Sequence, residues 1–188
     1  MRRIAAAGIT TLLLAACGQG EPANEGARAG KADSEASVAT GAASQDLAAA
    51  IGANPRLGGL VAAAGMGPVL SGKAPYTVLA PNDAALDKLP AGSLEELGQP
   101  AQRATLTALL RGHILPGTIL AADLARAVKS GNGKATIATM SGEPLSITRE
   151  GEGLRVTSAG GGSARIVGTE QRARNGVVHQ IDAVLPAP

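Results

Sequence analysis

Residues 76–86 read YTVLAPNDAAL, and this pattern predicts a strand that runs directly into a helix. The β-branched and apolar run from Tyr76 to Leu79 is typical of a buried strand, and Pro81 closes it. Asn82 and Asp83 follow, and both residue types cap helix N-termini through their side-chain oxygens. We therefore expect a core strand that turns into a short, capped helix.

Apolar residues at helical spacing predict further helices on both sides of this stretch. The predicted helices cover residues 46–51 with Ser44 as the cap, a stretch with Leu57, Leu60, Val61 and Ala64 on one face, residues 93–97, a stretch from Pro100 with Leu106, Leu109, Leu110 and His113 on one face, and residues 121–129.

Beyond Gly131 the pattern changes to short strands separated by glycine-rich turns. The predicted strands are residues 135–139, 145–149, 154–157, 164–168 and 177–185, with the Gly160–Gly162 run as a hairpin loop. Because helices come first and a meander of strands follows, the expected fold class is α+β, not alternating α/β.

Three segments of the chain resemble signatures of the fasciclin domain family. Residues 76–86 are similar to its first signature, LLRGHILPG at 109–117 is similar to the segment that follows, and NGVVHQIDAVL at 175–185 is similar to the closing signature. The resemblance implies one domain over residues 45–186. It also implies an α+β fold in which a compact wedge of β-strands is flanked by N-terminal helices.

The chain departs from the family pattern at several positions. Leucines stand at 79 and 86, where the family often has phenylalanine. Gly112 stands where a tyrosine often precedes the histidine, and residues 169–174 contain no Asp-Ile pair. A Tyr-His segment and an acidic-Ile segment have been linked to integrin binding in animal matrix members, so integrin-type adhesion is not expected here.

The N-terminus resembles a bacterial lipoprotein signal. Arg2 and Arg3 precede an apolar stretch, and the run Leu14-Ala15-Ala16-Cys17 matches a lipobox. The apolar stretch is about 13 residues long, whereas a membrane-spanning helix needs about 20. We expect residues 1–16 to be a cleaved signal peptide and Cys17 to carry the lipid that binds the membrane.

Residues 17–44 form the predicted lipidated tether, rich in Gly, Ala, Ser, Glu and Lys. Such a coil averages about 25–30 Å end to end, which would lift the domain clear of the headgroups. The cell envelope is therefore the expected location. Gly18 is not the aspartate associated with inner-membrane retention, so the outer membrane is favoured over the inner membrane.

Composition excludes several classes of partner. Arg2 and Arg3 account for the formal net charge of +2, so the rest of the chain is formally neutral and nucleic acid is not an expected partner. Tyr76 is the single aromatic residue besides the two histidines, so the aromatic platform common in sugar sites is not expected. Lipidated Cys17 would leave no cysteine for a disulfide.

Six residues form the candidate interaction or structural motif. They are Asp83, His113, Asn175, Gly176, His179 and Asp182. A metal or acid–base role for the two histidines is weighed against buried structural roles, which their apolar surroundings favour. Asp83 is weighed as a helix cap, Asp182 as a partner of nearby backbone, and Asn175-Gly176 as a turn. No metal-ligand spacing, phosphate loop or Gly-x-Ser-x-Gly motif occurs, so no metal, cofactor or catalytic residue is assigned.

Three functions remain open. The leading hypothesis is a non-enzymatic lipoprotein whose fasciclin domain binds an envelope or extracellular protein or a surface polymer, as in cell adhesion. The alternative is a small-molecule or lipid-binding envelope protein, with an apolar pocket lined by Leu57, Val61, Leu109 and Val128. The third is an enzyme with a site around His113 or His179, which burial of both rings would exclude.

Overall fold

The computed structural model describes residues 44–186. Cys17, the predicted signal peptide 1–16 and all of the predicted tether 17–44 except Ser44 lie outside the described residues, so these remain predictions. Among the described residues, no helix is both long and apolar enough to cross a bilayer.

Within residues 44–186, helices dominate the first half and strands the second. The helices are α1 (Leu47–Gly52), α2 (Pro55–Ala63), α3 (Gly67–Ser71), α4 (Asp83–Leu86), α5 (Ser93–Leu97), a 3-10 turn (Pro100–Gln102), α6 (Arg103–Gly112) and α7 (Ala121–Ser130). The strands are β1 (Tyr76–Pro81), β2 (Ile114–Pro116), β3 (Lys134–Ala138), β4 (Pro144–Glu150), β5 (Gly153–Thr157), β6 (Ser163–Ala173) and β7 (Gly176–Ile181). The α+β expectation is confirmed.

Side-chain caps set the starts of three helices. Asp46, and not the predicted Ser44, caps α1 by accepting a hydrogen bond from the Ala49 N–H at 2.9 Å. Asn54 caps α2, where Pro55 occupies the first helical position. Asn82 caps α4 and accepts from the Ala85 N–H at 2.8 Å.

The described strands form one seven-stranded sheet in the order β2-β1-β7-β6-β5-β4-β3. Strands β1 and β7 lie side by side and parallel, with Tyr76 opposite Gly176 and Pro81 opposite Ile181. The two ends of the sheet approach each other, because the Met140 N–H donates to the Ile114 carbonyl at 2.7 Å. The sheet is therefore a wedge that is nearly closed into a barrel.

The two faces of β1 and β7 serve two apolar cores, since successive side chains of a strand point to opposite faces. Val78, Ala80 and Val178 face a first core, built with helices α1, α2, α3 and α6. Leu79 and Ile181 face a second core, built with α7 and strands β4 and β5. These two strands therefore belong to both cores.

Two strand predictions need correction, and one strand was not predicted. Strand β6 continues to Ala173, beyond the predicted 164–168, so Arg172 lies in a strand and not in a loop. A bulge between Val167 and Gln171, with Gly168 at φ 69°, interrupts the alternation that marks a strand. Strand β7 ends at Ile181 and not at 185. The short strand β2 follows α6 directly and was not predicted separately.

Candidate functional site

Asn175 ties the N-terminal helices to the end of the sheet. Its buried carboxamide oxygen accepts from the Leu47 N–H at 2.9 Å. Its nitrogen donates to the Leu70 carbonyl at 2.8 Å and to the Gly72 carbonyl at 2.7 Å. Asn175 lies in the tight turn between β6 and β7, as the Asn-Gly pair predicts, but its side chain does more than form the turn.

Gly176 allows two chain segments to meet at this turn. The residue has φ 156° and is buried beside the parallel strand β1. A Cβ atom at this position would overlap the Tyr76 carbonyl oxygen and press on Leu47. Tyr76 and Gly176 are the first paired residues of β1 and β7, and only glycine at position 176 lets the two strands come this close.

His113 joins the end of α6 to the C-terminal segment. The ring is 3% exposed. Its Nε2 accepts from the Leu185 N–H at 3.1 Å, so Nδ1 carries the proton and donates to the Leu109 carbonyl at 2.8 Å. Burial lowers the pKa of His113, and the hydrogen bond to Leu109 only partly opposes this. The neutral ring is a structural link.

His179 lies on the opposite core face and is 1% exposed. Its Nε2 donates to the Ile119 carbonyl at 2.8 Å. Nearby, Glu170 accepts from the Ala121 N–H at 2.8 Å, at the start of α7. Burial opposes the ionisation of Glu170, but this N–H and Arg172 outweigh it and lower its pKa. Both histidines are thus buried and bonded to backbone, and neither faces an open cleft.

Asp83 connects two helix starts, although the helix cap is the neighbouring Asn82. One Asp83 carboxylate oxygen accepts from the Asn54 side-chain nitrogen at 3.0 Å. The Asn54 oxygen in turn accepts from the N–H groups of Arg56 and Leu57, both at 3.1 Å. The predicted capping role of Asp83 is wrong, because the oxygen that accepts from the Ala85 N–H at the start of α4 belongs to Asn82.

Asp182 holds the chain where β7 ends. Its carboxylate accepts from the Arg165 N–H at 2.7 Å, and its carbonyl accepts from Lys88 at 2.6 Å. The Asp182 N–H also donates to the Arg165 carbonyl at 3.1 Å, one residue beyond the end of β7 at Ile181. Asp182 therefore partners nearby backbone.

The six candidate residues do not form one site. Asn175 and Gly176 lie at the first paired end of β7, Asp83 and Asp182 lie beyond the opposite ends of β1 and β7, and the two histidines lie in different surroundings. Within residues 44–186, no group of three or more His, Cys, Asp or Glu side chains is placed to hold a metal ion.

An apolar cavity lies under α2 and α6, but it is small. Leu57, Val61 and Leu109 line it, whereas Val128 belongs to the second core, so the predicted four-residue lining is wrong at Val128. The cavity volume is about 30 Å³. An engineered apolar cavity that binds benzene has a volume of about 150 Å³, several times larger, so this space is packing slack.

A larger, polar cleft lies at the carboxyl ends of the parallel strands. Its volume is about 330 Å³. The polar residues that line it are Asn54, Asn82, Asp83, Gln171 and Gln180. Of these residues, Asn82 and Asp83 were singled out from the sequence, both as candidate helix caps. Asn54, Gln171 and Gln180 come from separate parts of the chain, and no local motif marks them.

A charge cluster lies on the far part of the sheet. The Glu150 carboxylate binds both Arg155 and Arg165, with the Arg165 Nη2 at 2.7 Å. The hydrogen bonds from Arg165 and Arg155 lower the pKa of Glu150 to about 2. The cluster connects the neighbouring strands β4, β5 and β6 through their side chains.

The chain is similar in sequence to several known proteins. Protein sll1483 of Synechocystis is 34% identical over 119 residues, which are 63% of this chain and 59% of that protein. Immunogenic protein MPB70 of Mycobacterium bovis is 32% identical over 113 residues, 60% of this chain and 50% of that protein. Transforming growth factor-beta-induced protein ig-h3 of Sus scrofa is 35% identical over 126 residues, 66% of this chain and 16% of that protein. The chain therefore spans little more than half of the two bacterial relatives.

A solved structure, the fasciclin domain pair of the insect cell adhesion molecule fasciclin I, matches with a TM-score of 0.47 and 23% identity over 61% of this chain and 38% of that one. The family model described as "Fasciclin domain" matches residues 56–188, which begin just inside the predicted domain. This match covers most of the chain, and the resemblance drawn from the three sequence segments is confirmed: the protein belongs to the fasciclin domain family.

Proposed function

We propose that this protein is a lipid-anchored envelope lipoprotein of a bacterium, and that its fasciclin domain binds an envelope or extracellular protein or a surface polymer in cell adhesion. Fasciclin domain proteins are known for adhesion-related roles. The observation that carries the proposal is the run Leu14-Ala15-Ala16-Cys17 upstream of a fasciclin domain. The anchor holds the domain at the envelope surface, where adhesion takes place.

A non-enzymatic role agrees with the state of both histidines. Their rings are buried, and each donates to a backbone carbonyl. A general base needs a ring nitrogen within reach of substrate, and these are enclosed. The lipid-binding alternative has less support, because the apolar cavity of about 30 Å³ has no room for an acyl chain.

The anchor is tested with Cys17→Ser, which changes the single cysteine of the chain. We expect the wild-type protein in the membrane fraction and the variant in the soluble fraction, because a lipid chain contributes about 0.8 kcal/mol per buried methylene. A variant that stays in the membrane fraction contradicts the lipoprotein assignment.

Adhesion is tested in a strain that lacks the protein and is complemented with the wild type, with Cys17→Ser, or with a form in which residues 20–43 are deleted. We expect cell aggregation with the wild type only, because the domain needs both an anchor and reach. Lys129→Gln, at an exposed position in the last turn of α7, serves as a control that keeps aggregation. Equal aggregation in all strains contradicts the proposal.

A further inference from the structure

The polar cleft lies where the described part of the fold brings two parallel strands to a common edge. Strands β1 and β7 end at Pro81 and Ile181, and the first-core residues Ile51, Leu57 and Val178 form part of the cleft wall. The volume of about 330 Å³ falls at the lower end of the range of ligand pockets, roughly 300–1,000 Å³.

Two glutamines present free amides to this cleft. Gln171 is exposed on β6, and Gln180 is half-buried on β7. Neither side chain hydrogen-bonds to another residue within 44–186. A carboxamide offers two N–H donors and a carbonyl acceptor, so the pair presents both kinds of group to a ligand.

Asp83 and Asn82 extend the same surface from the other strand. Asp83 has one oxygen on Asn54, and its second oxygen accepts from no described residue. The Asn82 oxygen caps α4, and its side-chain nitrogen donates to no described residue. Asp83 is exposed, so its second oxygen is open to a donor such as a ligand hydroxyl, and this bond is stronger than one between neutral groups.

The charge and the walls of the cleft restrict the ligand. Asp83 is the only formally charged residue in the described lining, and the nearby Arg56 partly offsets its charge, so the cleft does not strongly favour a charged ligand. A divalent cation needs several oxygen ligands, and a single carboxylate does not supply them. Between the polar groups the walls are aliphatic, from Ala50, Ala53 and Pro55.

From these contacts we infer that the cleft binds a neutral, hydroxyl-rich ligand, namely a sugar unit of a surface polysaccharide. Vicinal hydroxyls match amide donors and a carboxylate acceptor, and the C–H faces of the ring match the aliphatic walls. The inference rests on the proposed function and specifies its partner as a surface polymer.

Stacking on an aromatic ring contributes much of the affinity of many sugar sites, and no aromatic residue lines this cleft in the described chain. Binding of one sugar unit is therefore weak, with a dissociation constant in the millimolar range. A repeating polymer and many anchored copies compensate for this by multivalency.

The test is a titration of the ¹⁵N-labelled full chain with D-glucose, D-galactose and N-acetyl-D-glucosamine, followed at the side-chain amide resonances. We expect at least one sugar to shift the Gln171 and Gln180 amides. Gln180→Leu should weaken binding about tenfold, because one or two hydrogen bonds are lost. Gln99→Leu is the matched control, since Gln99 is exposed and lies outside the cleft lining.

Gln171→Ala is a second variant, at an exposed position where folding is not at risk. The inference is overturned if no sugar shifts these amides, if the shifts persist in both cleft variants, or if inorganic phosphate produces the same shifts. Sedimentation of the full chain with isolated envelopes separates the two proposals. Sedimentation without sugar binding overturns the cleft inference alone, and sugar binding without sedimentation or aggregation overturns the adhesion role alone.

Discussion

The side chain of Asn175 satisfies three backbone groups that come from two separate helical segments. Two of its bonds are 2.8 Å or shorter, and the Leu47 bond links residues 128 positions apart. A buried donor or acceptor that loses its partner costs about 1–3 kcal/mol. Such a residue is conspicuous in the structure, although the sequence marks it only as a turn former.

Asn175→Ala should therefore lower the free energy of unfolding by about 3 kcal/mol, because it leaves the Leu47 N–H and the Leu70 carbonyl without their partner. Urea unfolding measures the change. Gln99→Ala, at an exposed position, should stay within about 0.5 kcal/mol of the wild type. A similarly small effect for Asn175→Ala would show that water replaces the amide.

Position 176 requires glycine because there is no room for a side chain. Gly176→Ala should prevent folding or unfold the chain at room temperature, because its Cβ meets backbone of β1 and not a flexible side chain. Gly59→Ala is the matched control, since a Cβ there meets nothing within 4 Å and the residue lies within a helix. That control should be stabilising by about 0.5–1 kcal/mol.

Thermal unfolding by circular dichroism distinguishes the two glycine variants. A Gly176→Ala chain that melts like the wild type would contradict the close approach of β1 and β7.

At the scale of elements, His113 fastens the end of α6 to the C-terminal segment. Its folded-state pKa is lowered, so the unfolded chain binds a proton that the folded chain does not. The contribution to stability is present above the unfolded pKa of about 6.5 and is lost as the pH falls below it. Protonation also removes the acceptor for the Leu185 N–H.

We expect the free energy of unfolding to decrease between pH 6.5 and pH 5, and His113→Gln to reduce this slope. Urea titrations at several pH values measure it. Glu150→Gln is the control, because the pKa of Glu150 is about 2 and its contribution is lost only as the pH falls from about 4.5 towards 2. An unchanged slope in His113→Gln would assign the pH dependence to other groups.

Some caps and turns were accessible from local sequence. Asn82 before Asp83 and Asn175 before Gly176 act through neighbours in the chain, so a short window contains the whole cause. The Asp46 cap of α1 and the start of α2 at Pro55 were not predicted. The full length of strand β6 could not be predicted from the sequence, because its bulge at Gly168 interrupts the alternation of side chains on which strand prediction depends.

At the scale of the whole molecule, two cores share the central strands. Val78 and Leu79 are consecutive in β1 and face different cores. A disturbance in one core therefore reaches the other through the same backbone ladder. Domains coupled in this way unfold in one cooperative transition.

Leu106→Ala in the first core and Leu124→Ala in the second should each lower the free energy of unfolding by about 3 kcal/mol, because both side chains are fully buried. Each variant should unfold in a single transition whose midpoint is lower than that of the wild type. Fluorescence of Tyr76, the single tyrosine, reports on the first core, and circular dichroism reports on the whole chain. If fluorescence and circular dichroism gave different unfolding midpoints for the same variant, the two cores would unfold independently.

The sequence alone was enough to predict the domain family, the α+β class and the order of helices before strands. These features depend on residues close together in the chain, where spacing, capping and turn chemistry act. Lipidation at Cys17 stays a prediction, because this residue lies outside the described part of the chain. The tertiary structure decided the rest: that Val128 and Leu57 lie in different cores, that Asn175 holds two helical segments, and that Asp83 shares a cleft with Gln171 and Gln180. Those contacts join residues far apart in sequence, and only the parallel register of β1 and β7 and the bulge in β6 bring them together.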